Sequence, residues 1–171
     1  THLSEYQVTG CSPIVCTAPA ITTGYIRTEA NLDLSAGSFA VDVACAAGYE
    51  GAAEATACTA SGAYSLSGCS SIVCTTPADT AGYTTPVETN LDLSVSAFNV
   101  QTSCAVGYSG TAAALPCTAS GEYTLSGCAP MTCATRTSPT PGYVIGAETN
   151  LDLSQPGGIA VDVTCADGYE G

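Results

Sequence analysis

Alternating apolar and polar residues are the clearest structural signal in the chain, and the alternation occurs over residues 39–45, 98–104 and 159–165. In the first of these segments, Val41 and Val43 lie on either side of an aspartate. A period of two places alternate side chains on one face of a β-strand, so each segment is predicted to be a strand with one buried face. No window shows the 3.6-residue apolar period of a helix, and the sequence therefore predicts an all-β fold.

The three predicted strands belong to a longer internal repeat. Residues 45–69 return in near-identical form as residues 104–128, and Cys16, Cys74 and Cys133 are 58 and 59 residues apart. Repetition at a fixed period overrides the domain count that chain length alone would suggest. The period predicts tandem small modules with these bounds: the C-terminal end of a preceding module at 1–11, complete modules at 12–69 and 70–128, and an incomplete module at 129–171.

Eleven cysteines are spread over modules that are too small to bury much apolar surface. Disulfides are the usual remedy, so the cysteines predict disulfide-stapled modules and an extracellular, secreted or cell-surface location. A zinc site would need closely spaced C-x2-C pairs, whereas the spacings here are C-x4-C, C-x12-C and C-x10-C and the single histidine is His2. We therefore expect no metal ligation by these cysteines. Four cysteines in a module allow three pairings, and their spacing does not choose among them.

The chain carries a net charge of −13, with Arg27 and Arg136 and no lysine. Nucleic acids and anionic membrane surfaces attract basic patches, so neither is an expected partner. No apolar run reaches the length needed for direct membrane insertion. Acid–base and nucleophilic catalysis need a base beside a nucleophile, and a chain with one histidine and no lysine offers few such pairs. The sequence therefore predicts a protein without enzymatic activity and without a cofactor.

Four residues separate the last cysteine of one module from the first cysteine of the next, and these linkers are residues 12–15, 70–73 and 129–132. Linkers this short restrict the freedom between neighbours, so the modules are expected to form a rod-like array. Each linker contains one large apolar residue that is predicted to pack between modules: Ile14, Ile72 and Met131. The alternative is that this residue closes the core of its own module.

An acidic segment of the form E-x-N-L-D-L-S is the most uniform part of the repeat. In strand geometry, Glu29, Asn31 and Asp33 would share one face, with Leu32 and Leu34 on the other. The polar face is expected to meet a neighbouring module or to lie at the surface. Its oxygens could alternatively contribute to a calcium site, although no dense D-x-D-x-D-G loop supports one. The candidate inter-module residues in these segments are Asn31, Asp33, Asn90, Asp92, Asn150 and Asp152.

Threonine and serine cluster with proline in the segments after the first cysteine of each module. No asparagine stands in an N-x-S/T sequon, so N-linked glycans are not expected. O-linked glycans are the natural hypothesis for such loops, and intact mass compared with the sequence mass tests it. The candidate acceptors are Thr22, Thr23, Thr84, Thr85, Thr135, Thr137, Ser138 and Thr140.

The repeated motifs resemble the sushi, or complement-control-protein, module over essentially the whole chain. They are C-x-x-G-Y-x-G, a further cysteine, x-x-S-G-x-Y and a final cysteine, with a C-x-P-I-x-C style of junction. Where the family usually carries a tryptophan before its last cysteine, this chain has Tyr64 and Tyr123. The resemblance implies pairing of the first with the third and the second with the fourth cysteine. In this sequence those pairs are Cys16 with Cys58, Cys45 with Cys69, Cys74 with Cys117, and Cys104 with Cys128.

Three cysteines have no mate in this pattern: Cys11, Cys133 and Cys165. Unpaired cysteines at these positions are expected if the chain is one part of a longer periodic array. The alternative is that Cys165 pairs with Cys11 of another copy. Near-identity among modules favours a structural role, as the repeating unit of an extracellular rod or filament such as a cell-surface or flagellar hair. Its partners would be neighbouring modules or copies. The alternative is an adhesion or ligand-binding protein of the sushi type.

Overall fold

The computed structural model describes residues 6–171, and the first five residues of the predicted preceding module, His2 among them, lie outside the described residues. The described residues form fourteen β-strands and no helix, which confirms the predicted all-β class. This part of the chain accordingly contains no helix with the length and hydropathy to cross a bilayer.

The strands follow the order of the predicted modules, and the last strand of each complete module extends two residues past its final cysteine into the next linker. The first module contains β1 (Cys16–Thr17), β2 (Tyr25–Asn31), β3 (Ala40–Cys45), β4 (Tyr49–Thr56), β5 (Gly62–Ala63) and β6 (Ser65–Ser71). The second module contains β7 (Cys74–Thr75), β8 (Val87–Asn90), β9 (Asn99–Gln101), β10 (Tyr108–Leu115), β11 (Gly121–Glu122) and β12 (Thr124–Pro130). The third contains β13 (Tyr143–Asn150) and β14 (Ala160–Cys165).

Antiparallel hairpins make up most of each module. β2 pairs with β3 and β4 with β6, and the second module repeats these pairs as β8 with β9 and β10 with β12. Each complete module also has a two-residue parallel pair, β1 with β5 and β7 with β11, which the alternation pattern did not indicate. The third module has the hairpin of β13 and β14. The repeat in the sequence is therefore also a repeat in strand pairing.

The three predicted strands form, but their length and burial differ. β3 and β14 have six residues each, whereas β9 has three. Pro86 lies just before β8, the partner of β9, and has no N–H to donate to the ladder. On the other side of Pro86, the N–H of Thr84 donates to the carbonyl of Ser103, and the hydroxyls of these two residues are hydrogen-bonded to each other. In β14, Val163 is 50% exposed, because the residues described after Cys165 contain no strand that could cover the sheet. Of the predicted buried face of this strand, Val161 is half-buried, whereas Ile159 is 53% exposed.

A buried tyrosine lies at the centre of the core in each complete module. Tyr64 is 2% exposed and lies edge-on to Phe39, with ring centroids 5.5 Å apart. Leu32 and Leu34 pack against the same cluster, so the leucine face of the acidic segment points inward. The second module repeats the aromatic pair around Tyr123. Full burial of one such ring contributes about 2 to 3 kcal/mol, a large share of the stability of a core this small.

The hydroxyl of each buried tyrosine has a carboxylate partner. Tyr64 donates to Oε1 of Glu29 at 2.7 Å, and Tyr123 donates to Oε1 of Glu88 at 2.9 Å. Burial raises the pKa of Tyr123 to about 12, and the hydrogen bond to Glu88 adds to the shift. The bond from Tyr64 lowers the pKa of Glu29, and Arg27 lowers it further. These two carboxylates therefore serve the core of their own module.

The stability of the second module is expected to fall in alkali because of Tyr123. Its folded pKa lies above its ordinary value of 10.0, so its contribution is complete below that value and is lost as the pH rises through about 12. Tyr123→Phe should remove this dependence and, at neutral pH, cost about 1 kcal/mol for the lost hydrogen bond. Thermal unfolding between about pH 8 and pH 12 measures both effects. Tyr64 of the first module is unchanged in the variant, and its pKa is also raised by burial, so the first module serves as an internal control. If the alkaline loss of stability were the same in Tyr123→Phe as in the unmodified protein, Tyr123 would not be its cause.

Two disulfides staple each complete module. The inner disulfides lie at the core and are Cys16–Cys58 and Cys74–Cys117. The outer disulfides are half-buried and are Cys45–Cys69 and Cys104–Cys128. These are the same four pairs that the sushi resemblance implies, and they indicate an oxidising environment. The free cysteines are Cys11, Cys133 and Cys165.

The chain forms two compact units whose bounds differ from those of the predicted modules. Unit 1 contains the described residues up to Ile72 together with Asp92–Val95, and unit 2 contains Val73–Leu91 and Ser96–Gly171. By sequence, Asp92–Val95 belongs to the acidic segment of the second module. In the structure, this segment is part of unit 1.

Candidate interface between modules

Each linker forms a short antiparallel ladder with the acidic segment that follows it. The N–H of Leu34 donates to the carbonyl of Ile14 at 3.0 Å, and the N–H of Cys16 donates to the carbonyl of Leu32 at 2.8 Å. The third module repeats both bonds, at 2.9 and 2.8 Å, with Met131 in the place of Ile14. The linker is therefore hydrogen-bonded backbone and not a free tether.

The third residue of the linker also reaches back to the module before it. In unit 1, the N–H of Ile72 donates to the carbonyl of Gly48 at 2.9 Å, while the carbonyl of Ile72 accepts from the N–H of Leu93 at 3.0 Å. One residue thus bonds on one side to the C-x-x-G-Y turn and on the other to the next acidic segment. We call Gly48, Ile72 and Leu93 the first joint. These bonds explain why Asp92–Val95 belongs to unit 1.

Unit 2 contains the same arrangement one period later. The N–H of Met131 donates to the carbonyl of Gly107 at 2.8 Å, and the carbonyl of Met131 accepts from the N–H of Leu153 at 2.9 Å. We call Gly107, Met131 and Leu153 the second joint. The two linkers, SSIV and APMT, have no residue in common at equivalent positions, yet their bonds are the same. The joint geometry is therefore a property of the main chain.

Glycine is required at the turn of each joint. Gly48 and Gly107 have φ of +82° and +86°, a region that L side chains rarely adopt. A Cβ at either position would lie 2.7 Å from the carbonyl carbon of Leu93 or Leu153, which is closer than van der Waals contact permits. Gly168, the equivalent glycine of the third module, has φ of +85° and nothing within 4 Å of such a Cβ. Close approach of the leucine main chain is thus specific to the two joints.

The apolar linker side chains differ in burial. Ile72 is 8% exposed at the first joint, whereas Met131 is 36% and Ile14 is 37% exposed. Ile14 has no equivalent of Gly48 before it among residues 6–171. Of the three predicted contact residues, only Ile72 is buried, while the hydrogen bonds of the main chain are common to both joints.

The asparagine and aspartate side chains shape their own loops. The Nδ2 of Asn31 donates to the carbonyls of Asp33 and Ser38, and Oδ1 of Asp33 accepts from the N–H and hydroxyl of Ser35 at 2.9 and 2.7 Å. The same aspartate–serine bonds recur at Asp92 and Asp152, and the serine hydroxyl lowers the pKa of all three aspartates. Asn90 and Asn150 likewise donate to carbonyls across their loops. The resulting turn presents the leucine main chain to the joint.

The oxygens proposed for calcium do not share one face. β2 ends at Asn31, so the strand geometry on which that hypothesis depends does not continue to Asp33. Glu29 is bonded to Tyr64, whereas Asn31 and Asp33 are bonded within the loop. Within residues 6–171, no group of three or more His, Cys, Asp and Glu side chains is placed to hold a metal ion.

The candidate O-glycan acceptors differ in their exposure to solvent, and only some of them are accessible. Thr23, Thr85, Thr135, Thr137 and Ser138 are exposed, as an acceptor hydroxyl must be. Thr22 is half-buried, and the hydroxyl of Thr84 is hydrogen-bonded to Ser103. The Oγ1 of Thr140 is buried, so a glycosyl transfer to this atom would require the loop to open.

Sequence reasoning did not identify the glycine and leucine residues of the joints. The sequence predicts a turn at the glycine, which the positive φ of Gly48 and Gly107 fits, and it predicts a core position for Leu32 and Leu34, which pack against the core of the first module. The signal that could have found them was the presence of the same glycine in every C-x-x-G-Y motif and of the same leucine in every acidic segment. No family model, curated protein or solved structure matches the chain, so its function is inferred from its own residues.

Proposed function

We propose that the chain is a structural protein, the repeating unit of an extracellular rod or filament built from sushi-like modules. The observation that carries the proposal is the recurrence of one joint at two linkers of different sequence, with both main-chain groups of the linker residue bonded. A recognition protein would not need every junction to be the same. A filament would, because each period must add the same geometry to the next.

Charge and covalent chemistry support the proposal. The net charge of −13 over roughly three periods is about four negative charges per module, and their mutual repulsion keeps a fibre extended and soluble. The disulfides fit an extracellular, secreted or cell-surface location. The partners in such a fibre are neighbouring modules or further copies. O-linked glycans on the exposed threonines would add to its hydration, and no catalytic role is proposed.

Negative-stain electron microscopy of the oxidised protein tests the function. A filament subunit should give long fibres whose repeat equals the length of one module, and full reduction should dissolve them. Dispersed short particles in the oxidised sample would contradict the filament and favour the adhesion or ligand-binding alternative.

A further inference from the structure

We propose that the outer disulfide of each complete module is a redox-sensitive clamp on the neighbouring joint. Reduction by a dithiol would release the joint while the inner disulfide keeps the core folded. The inference concerns the regulation of the joints and rests on their proposed function as stiff connections.

The outer disulfide connects the two segments that meet in the joint. Cys45 lies three residues before Gly48, and Cys69 lies three residues before Ile72. The hydrogen bond from Ile72 to Gly48 therefore joins the same two segments as the disulfide. Next to this hydrogen bond, β4 and β6 pair with each other, and Gly51 of β4 lies opposite Cys69 of β6. The second joint has the same arrangement around the second outer disulfide. The bridge thus keeps the donor and the acceptor of the joint side by side.

The two kinds of disulfide differ in access. Cys16 and Cys58 of the first inner disulfide are 1% and 9% exposed, and Cys74 of the second is 1% exposed. All four outer cysteines are half-buried, as is Cys117, the partner of Cys74. The sulfur of Cys45 lies 3.6 Å from the carbonyl oxygen of Gly51, an environment open to solvent. Thiol–disulfide exchange requires the attacking thiolate to reach a sulfur, so a dithiol reaches the outer disulfide first. The difference in access is larger in the first module, where both inner cysteines are buried, than in the second, where Cys117 is half-buried.

The exchange needs a dithiol as reductant. One of its thiolates attacks a sulfur of Cys45–Cys69, forms a mixed disulfide and releases the other cysteine as a thiolate. The second thiol of the reagent then displaces the protein sulfur. The protein gains two electrons and two protons and holds two free thiols, while the reagent becomes a cyclic disulfide. The joint then depends on its hydrogen bonds and on the strand pairing beside it, β4 with β6 or β10 with β12.

Stepwise labelling combined with amide exchange tests the clamp. The free thiols of Cys11, Cys133 and Cys165 are first blocked with one alkylating reagent. Limited dithiothreitol treatment and a second, mass-distinct reagent then show which disulfides have opened. We expect the outer cysteines to carry the second label first, and amide exchange at Ile72 and Met131 to become at least about tenfold faster while Tyr64 and Tyr123 stay protected.

The two joints provide a matched control within one chain. Cys104→Ala with Cys128→Ala should accelerate exchange at Met131 and leave Ile72 unchanged. Loss of protection at Tyr123, in this variant or in the partly reduced protein, would show that the outer disulfide holds the core and would overturn the proposal. So would outer disulfides that open no earlier than the inner ones, or joints that stay protected after their disulfides have opened. Fast exchange at Ile72 in the fully oxidised protein would instead count against the joint itself and thus against the proposed function.

Discussion

Reduction of all four disulfides is expected to unfold both complete modules. The bridges close loops with sequence separations of 24 to 43 residues. Each is worth about 3 to 4 kcal/mol in the loop-closure account, so the pair in one module contributes about 7 kcal/mol. The net stability of a domain of this size is about 3 to 9 kcal/mol. Removing both bridges therefore takes away most or all of it, whereas removing one leaves part of a net stability that exceeds about 4 kcal/mol.

Circular dichroism and the dispersion of amide proton signals measure this loss directly. The control is oxidised protein whose free thiols, at Cys11, Cys133 and Cys165, have been alkylated, because this treatment modifies cysteine without opening a bridge. The control should keep its strand signal, and the reduced sample should lose it. A strand signal that survives full reduction would mean that the tyrosine-centred cores are sufficient without their staples.

Gly107→Ala is expected to open the second joint and destabilise unit 2 by about 2 to 4 kcal/mol. Two effects add in this estimate. An alanine at φ of +86° is strained, and its Cβ would lie 2.7 Å from the carbonyl carbon of Leu153 and 2.9 Å from the Cα of Ser154. Both contacts are with main-chain atoms, which cannot move aside as a flexible side chain can. Thermal unfolding gives the energy, and amide exchange at Met131 reports the joint.

Gly168→Ala is the matched control for the joint contact. Its φ of +85° imposes nearly the same backbone strain, but its Cβ would meet nothing within 4 Å. The expected cost is therefore about 1 to 2 kcal/mol, without a change in exchange at Met131. Equal effects of the two substitutions would reduce the role of Gly107 to that of an ordinary turn glycine and would remove the main support for a stiff joint.

Much of each module was predictable because its signals are local. The alternation around Val41 and Val43 predicts a strand with one buried face, and both valines are half-buried in β3. The shortening of β9 depends on Pro86 in the partner segment. The exposure of Val163 depends on whether other residues cover the sheet that β14 forms with β13, and the sequence of β14 does not determine this.

The interface was only partly predictable because its contacts are made by the main chain. The linkers were recognised by their constant length. Ile72 is buried, which is expected both of a junction residue and of a residue that closes the core of its own module. Asn31 and Asp33 were chosen for their side chains, yet these form bonds inside their own loop. Every residue except proline carries the same N–H and C=O, so side-chain patterns did not reveal that Ile72 uses both of its groups to bridge two modules.

Period, composition and motif order by themselves determined that this protein is an all-β array of small cysteine-rich modules, since these features follow from residue type and spacing. Tertiary structure alone decided which residues close the joints. The close approach of the Leu93 main chain to Gly48 requires a turn with positive φ, a vacant Cβ position and a loop shaped by Asp92. These three conditions come from distant parts of the chain, and only folding brings them together.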